Sequence, residues 1–210
     1  MAQRTLACSA CHGKEGRAGP DGYYPRIAGK PAGYLYNQLL NFRDGRRHYG
    51  PMTRLMDPLS DAYLLEIAQH FAALDVPYSG ALPRAAPAAQ LQAGRALAMQ
   101  GDPQRNVPAC AQCHGDALTG VQPNTPGLVG LPRDYLASQL GAWRAGQRRA
   151  HAPDCMADIA KRLSLEDIGA VAMWLSMQVP ASGSRPAATL PRPARIACGS
   201  AILPAGRQAP

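Results

Sequence analysis

Two stretches of the chain place a pair of thiols three residues apart with an imidazole directly behind them: Cys8-Ser-Ala-Cys11-His12 and Cys110-Ala-Gln-Cys113-His114. On one turn of helix both thiols of such a pair reach the vinyl groups of a single haem as thioethers. The histidine then lies beneath the iron as proximal ligand. Other chemistry for paired thiols makes demands that this sequence does not meet. A structural zinc site needs two further ligands beside each pair, and the intervening segments supply none. A thioredoxin-like motif needs a strand-helix-strand setting, and nothing here alternates like a strand. The two motifs therefore point to two covalently bound haem c groups (iron). Cys8, Cys11, Cys110 and Cys113 attach them, and His12 and His114 are iron ligands.

Each motif opens one copy of a longer repeat. Pro25-Arg-Ile27-Ala-Gly29 returns as Pro126-Gly-Leu128-Val-Gly130. Tyr34-Leu35-x-x-Gln38-Leu39-x-x-Phe42-Arg43-x-Gly45 returns as Tyr135-Leu136-x-x-Gln139-Leu140-x-x-Trp143-Arg144-x-Gly146. Met52 stands seven residues before Leu59-Ser60, and Met156 stands seven before Leu163-Ser164. This shared register marks Met52 and Met156 as the second ligand to each iron, a soft thioether that raises the haem potential. His48 and His151 are competitors that fall out of register, and Met56 is matched by Ala160. Met99, Met173 and Met177 lie in helical patterns and read as core filler.

The elements that must position these ligands are helices. Tyr34, Leu35, Gln38, Leu39 and Phe42 form one helical stripe, with Gly45 and Gly146 where the two copies of that helix stop. Ser60 and Ser164 are N-cap candidates, and Ser164-x-x-Asp167 has the form of a capping box with Leu163 placed for a staple. Ile168–Val179 reads as a buried helix, and a further helix over about residues 88–99 leads into the second motif. The expected fold is all-α, two tandem helical domains over 1–76 and 88–178. A Pro- and Gly-bearing linker covers 77–87, and a Pro/Ala-rich tail over 179–210 is expected to be extended or disordered. The paired aromatics Phe42/Trp143 and Tyr34/Tyr135 serve helix packing or a haem edge. Arg43, Arg47, Arg144 and Arg148 are either propionate partners or solvated surface.

Taken in order and twice over, these motifs resemble the dihaem cytochrome c4 family, across about residues 1–178. The resemblance implies tandem class I cytochrome c domains about a pseudo-twofold axis, with haem propionates meeting near the interface. It also implies single-electron transfer from a dehydrogenase or bc1-type complex to an acceptor such as a terminal oxidase. No catalytic residue is expected.

Composition agrees with such a carrier. The formal charge of +8 is spread out, with only short basic pairs and no nucleic-acid motif, so a nucleic-acid partner is not expected. No run of 18 apolar residues exists, so no transmembrane segment is expected. Haem attachment of this type belongs to the outer side of a bacterial inner membrane, so the chain is expected to be exported and periplasmic. Only seven residues precede Cys8, so its signal peptide is expected upstream. Cys155 and Cys198 remain: a disulfide pinning the tail beside Met156, two free thiols, or a bridge to another subunit. The tail is also a candidate docking element for a catalytic subunit of a dehydrogenase complex. The alternative function is a dihaem oxidase of thiosulfate dehydrogenase type, with Cys155 as an iron ligand.

Overall fold

A computed structural model describes residues 2–19, 23–78, 85–194 and 196–201. It is mostly helical. Among the described residues the helices are α1 (Leu6–His12), α2 (Ala32–Arg43), α3 (Gly50–Met56), α4 (Asp61–Ala73), α5 (Ala88–Met99), α6 (Ala111–His114), α7 (Arg133–Arg144), α8 (Cys155–Arg162) and α9 (Leu165–Ser176). A two-residue antiparallel ladder, β1 (Gly120–Val121) with β2 (Thr125–Pro126), lies in the second half. Two residues are too few to leave an alternating pattern, so the sequence carries no trace of it. None of these helices is long and apolar enough to cross a membrane.

The repeat becomes two helical units built alike. In the first, α2 packs on α4 around Leu35, Tyr36, Leu40, Leu64, Ile67 and Phe71. In the second, α7 packs on α9 around Leu131, Leu136, Val171 and Leu175. The termini use the local chemistry that the residue types favour. Gly45 and Gly146 take φ of 72° and 71° after the last turns of α2 and α7. That lets Arg46 and Gln147 amides turn back to the Asn41 and Ala142 carbonyls, both at 2.9 Å. The Ser60 hydroxyl accepts from the Tyr63 amide. Ser164 and Asp167 close the capping box in both directions, with Leu163 and Ile168 sharing a cluster as staple partners.

Arg43 and Arg144 act at the same repeat position, donating to the carbonyls of Leu59 and Leu163 at 3.2 and 2.6 Å. They tie α2 to the start of α4 and α7 to the start of α9. Met173 is buried, whereas Met99 is 38% exposed at the end of α5 and is not core filler. The helix expected over 88–99 is present as α5, and in its last turn Leu97 and Ala98 face the core while Met99 does not.

The second unit has the longer buttress, because α5 crosses α9 at close range. A Cβ on Gly94 would lie 2.2 Å from the Ala170 carbonyl oxygen and 2.9 Å from Trp174 Cβ. Gly94→Ala is therefore expected to destabilise the protein by about 1–3 kcal/mol through overpacking. Denaturant titration followed by far-UV circular dichroism reads it.

Among the described residues, the chain from residue 177 forms no helix or strand but is held by specific bonds. The Ala187 amide donates to Gly120 O at 2.9 Å, and its carbonyl accepts from Gln122 at 2.8 Å. Cys198 is disulfide-bonded to Cys155. Beyond it, the Gly199 amide donates to Pro153 O at 2.8 Å and the Ala201 amide to Asn37 Oδ1 at 2.6 Å. The described part of the tail thus runs over the second unit and reaches α2 of the first. The expected linker falls partly, and the end of the tail wholly, outside the described residues.

Candidate haem sites

Each Cys-x-x-Cys-His segment ends in a buried histidine that is held by a backbone carbonyl. After α1 the chain returns through Ile27 N donating to Gly16 O at 2.9 Å, which sets the Pro25 carbonyl 2.8 Å from His12 Nδ1. After α6, Leu128 N donates to Leu118 O at 2.8 Å, and the Pro126 carbonyl lies 2.7 Å from His114 Nδ1. A carbonyl only accepts, so Nδ1 of each ring carries the proton and Nε2 keeps its lone pair for a metal. Both rings are 7% exposed. Burial pushes both imidazoles below their ordinary range, toward the neutral form that ligation requires.

Burial pushes the Cys8 and Cys113 thiols up, and Cys110 to about 11. Among the described residues no three His, Cys, Asp or Glu side chains gather as a metal cluster.

A cavity of about 400 Å³ opens in the second unit, and Cys110, Cys113, His114 and Met156 all line it. The structure thus brings together all four residues singled out there. In the first unit Cys8 and Met52 pack against the same core cluster, while Cys11 is exposed. The competitors separate by burial. Met56 is 1% exposed, sealed in the core like its counterpart Ala160 at 0%. His48 is exposed. His151 lines the second cavity with a buried Nε2 that has no hydrogen-bond partner among the described residues. It is the one competitor that the structure places within the site.

The walls fit a haem. They are largely apolar, from Leu97, Val107, Leu128 and Leu136 among others, as a macrocycle requires. Trp143 Nε1, which can only donate, is buried beside the cavity without an acceptor among the described residues. Propionate oxygens are acceptors of the right kind.

Between the units lies a near-symmetric clasp. Arg47 donates to Gln38 Oε1 at 3.1 Å in its own unit and to Gln139 Oε1 at 2.7 Å in the other. Arg148 donates to Gln139 Oε1 at 2.6 Å and across to Gln38 Oε1 at 2.7 Å. The guanidinium of Arg47 lies over Phe42 at 4.5 Å, and that of Arg148 over Trp143 at 3.7 Å. Burial, then the neighbouring Arg47 charge, pushes Arg148 down to about 10. Neither arginine has an ion-pair partner among the described residues. Two close cations with neutral partners fit the anionic edges of two haems. The clasp is thus where the repeated Gln and Arg positions of the sequence acquire a reason.

Sequence reasoning missed three further features. The carbonyls of Pro25 and Pro126 belong to a motif that the repeat displays, but a backbone acceptor leaves no residue-type signal. Lys30, a residue of the first unit, lines the cavity of the second. Ile196, Cys198, Gly199 and Ser200 of the tail line it too. The alternative in which Cys155 ligates an iron is overturned: its sulfur is bonded to Cys198 and offers no thiolate to the metal.

No protein-family model matches the chain. It is 38% identical over 173 residues to a thiosulfate dehydrogenase electron acceptor of Thiomonas intermedia (strain K12), covering 82% of this chain and 78% of that protein. A thiosulfate dehydrogenase structure from Marichromatium purpuratum superposes with a TM-score of 0.74 at 32% identity, over 83% of this chain but only 39% of that one. Reduced cytochrome c4 from Pseudomonas stutzeri superposes with a TM-score of 0.70 at 31% identity, over 83% of this chain and 95% of that one. The paired haem-attachment segments, their anchored histidines and these likenesses together place the chain in the cytochrome c4-like family of dihaem electron-transfer cytochromes, with two covalently bound haems c.

Proposed function

We propose that this protein accepts electrons from a thiosulfate dehydrogenase and passes them on singly to a downstream acceptor such as a terminal oxidase. In this reading His12 pairs with Met52 and His114 with Met156 as axial ligands. The haem-bearing units are residues 1–76 and 88–178, joined by 77–87 and followed by the 179–210 tail. The observation that carries it is the repeated site itself: a carbonyl-anchored imidazole with a methionine at matching register in each copy. Such centres have no coordination position left for a reactant, so the chain exchanges electrons and does no substrate chemistry of its own. The relative from Thiomonas intermedia is named for accepting electrons from thiosulfate dehydrogenase, which supports that donor. A disulfide beside haem-attachment motifs supports an exported, periplasmic location.

The test is anaerobic mixing of the haem-loaded, oxidised chain with a thiosulfate dehydrogenase and thiosulfate, followed by the reduced-haem absorption bands. Both haems are expected to reduce only when enzyme and thiosulfate are present together. Oxidation of thiosulfate by the chain alone would make it an enzyme. Reduction by a quinol-oxidising complex but not by the dehydrogenase would remove the proposed donor.

A further inference from the structure

Lys30 lies just before α2 in the first unit, yet it shares a cavity wall with His114 and Met156 of the second. Its Nζ donates to Gly127 O at 3.1 Å, one residue beyond the Pro126 carbonyl that anchors His114. No carboxylate pairs with it among the described residues. Burial pushes its ammonium down to about 8, which leaves it mostly charged at neutral pH.

This charge breaks the symmetry of the repeat. The matching position in the second copy is Leu131, an apolar side chain that is 6% exposed and lines the cavity of its own unit. The first unit therefore receives no reciprocal cation from that position. Arg47 and Arg148, by contrast, come as a repeat pair bridging both units, with Arg148 also on the wall of the second cavity. Asp154, also on the cavity wall, is taken up by the amides of Ala150 and Ala157 at 2.6 and 3.1 Å.

We infer that Lys30 is a potential-setting residue reaching from one unit into the haem site of the other, and that it favours the electron on the second haem. A ferric haem carries one more positive charge than a ferrous one. A fixed cation in a low-dielectric wall therefore disfavours the oxidised state. The inference deepens the carrier reading and rests on it, since it gives the carrier an internal direction.

The experiment uses the haem-loaded full chain with Lys30→Met, which is similar in length but neutral, and Lys30→Arg, which keeps the charge. Redox titration is followed through resolved haem-methyl NMR signals assigned to each haem. Lys30→Met is expected to shift the equilibrium of the second haem about tenfold toward ferric, about 59 mV for a one-electron couple. The first haem hardly moves, and Lys30→Arg stays near the parent value. An unchanged second potential, an equal fall at both haems, or Lys30→Arg falling as far as Lys30→Met would each overturn the assignment. These failures leave the optical spectrum of the parent normal. Failure of the carrier reading would show in that parent spectrum, as a high-spin second haem, and would take the inference with it.

Discussion

Met156→Leu is expected to open the second iron while leaving the first closed. The charge-transfer band of sulfur-ligated ferric haem falls to about half, and added imidazole or cyanide binds at one haem per chain. The potential of that haem drops by on the order of 0.1 V, a fraction of the roughly 0.8 V that axial ligation commands. Met52→Leu is expected to do the same at the first haem. Two controls make the assignment sharp. Met56→Leu changes a residue sealed in the core at 1% exposure and should keep the whole band, with only a modest stability change. His151→Ala removes the competitor that lines the second cavity and should also keep the band. If His151→Ala abolishes half the signal and Met156→Leu does not, the ligand at the second iron is the imidazole.

Cutting the tail from its anchor is the second large effect. Cys155 and Cys198 are 43 residues apart in sequence, and closing a loop of that size restrains the unfolded chain by about 2–4 kcal/mol. Cys198→Ser is expected to lose that stability in denaturant titration. It should also lose amide protection at Gly199 and Ala201, whose hydrogen bonds hold the tail to Pro153 and Asn37. In the parent, alkylation under non-reducing conditions should label no thiol, and a dithiol reductant should expose two. Gly199→Ala probes seating without touching sulfur, because a Cβ there would come within 2.4 Å of the His151 and Ala152 carbonyl oxygens. It should loosen the same amides while the disulfide stays closed. A Cys198→Ser protein as stable and as protected as the parent would show that the tail contributes nothing to the second unit.

Much of the site was legible before any coordinates, because covalent haem attachment is a local event. The thiol spacing and the following imidazole fit on one turn, so Cys8, Cys11 and His12 announce their chemistry within five residues, as do Cys110, Cys113 and His114. The caps at Ser60 and Ser164 and the glycine stops at Gly45 and Gly146 are local in the same sense. Met52 and Met156 stand out only through the repeat, where register supplies what spacing alone does not. Arg43 and Arg47 looked alike in sequence, yet one staples a helix start and the other bridges the units. Side-chain direction separates them, and composition does not record it.

By itself the sequence determined the cofactor, the number of sites and the helical repeat, since each follows from residue types held together by a few covalent or hydrogen bonds along the chain. The tertiary structure alone decided what crosses between units: the shared clasp of Arg47, Arg148, Gln38 and Gln139, the reach of Lys30, and the choice of a disulfide over an iron bond for Cys155. Those contacts join residues about a hundred or some forty positions apart. They depend on how two independently formed helical surfaces meet, which no local pattern specifies.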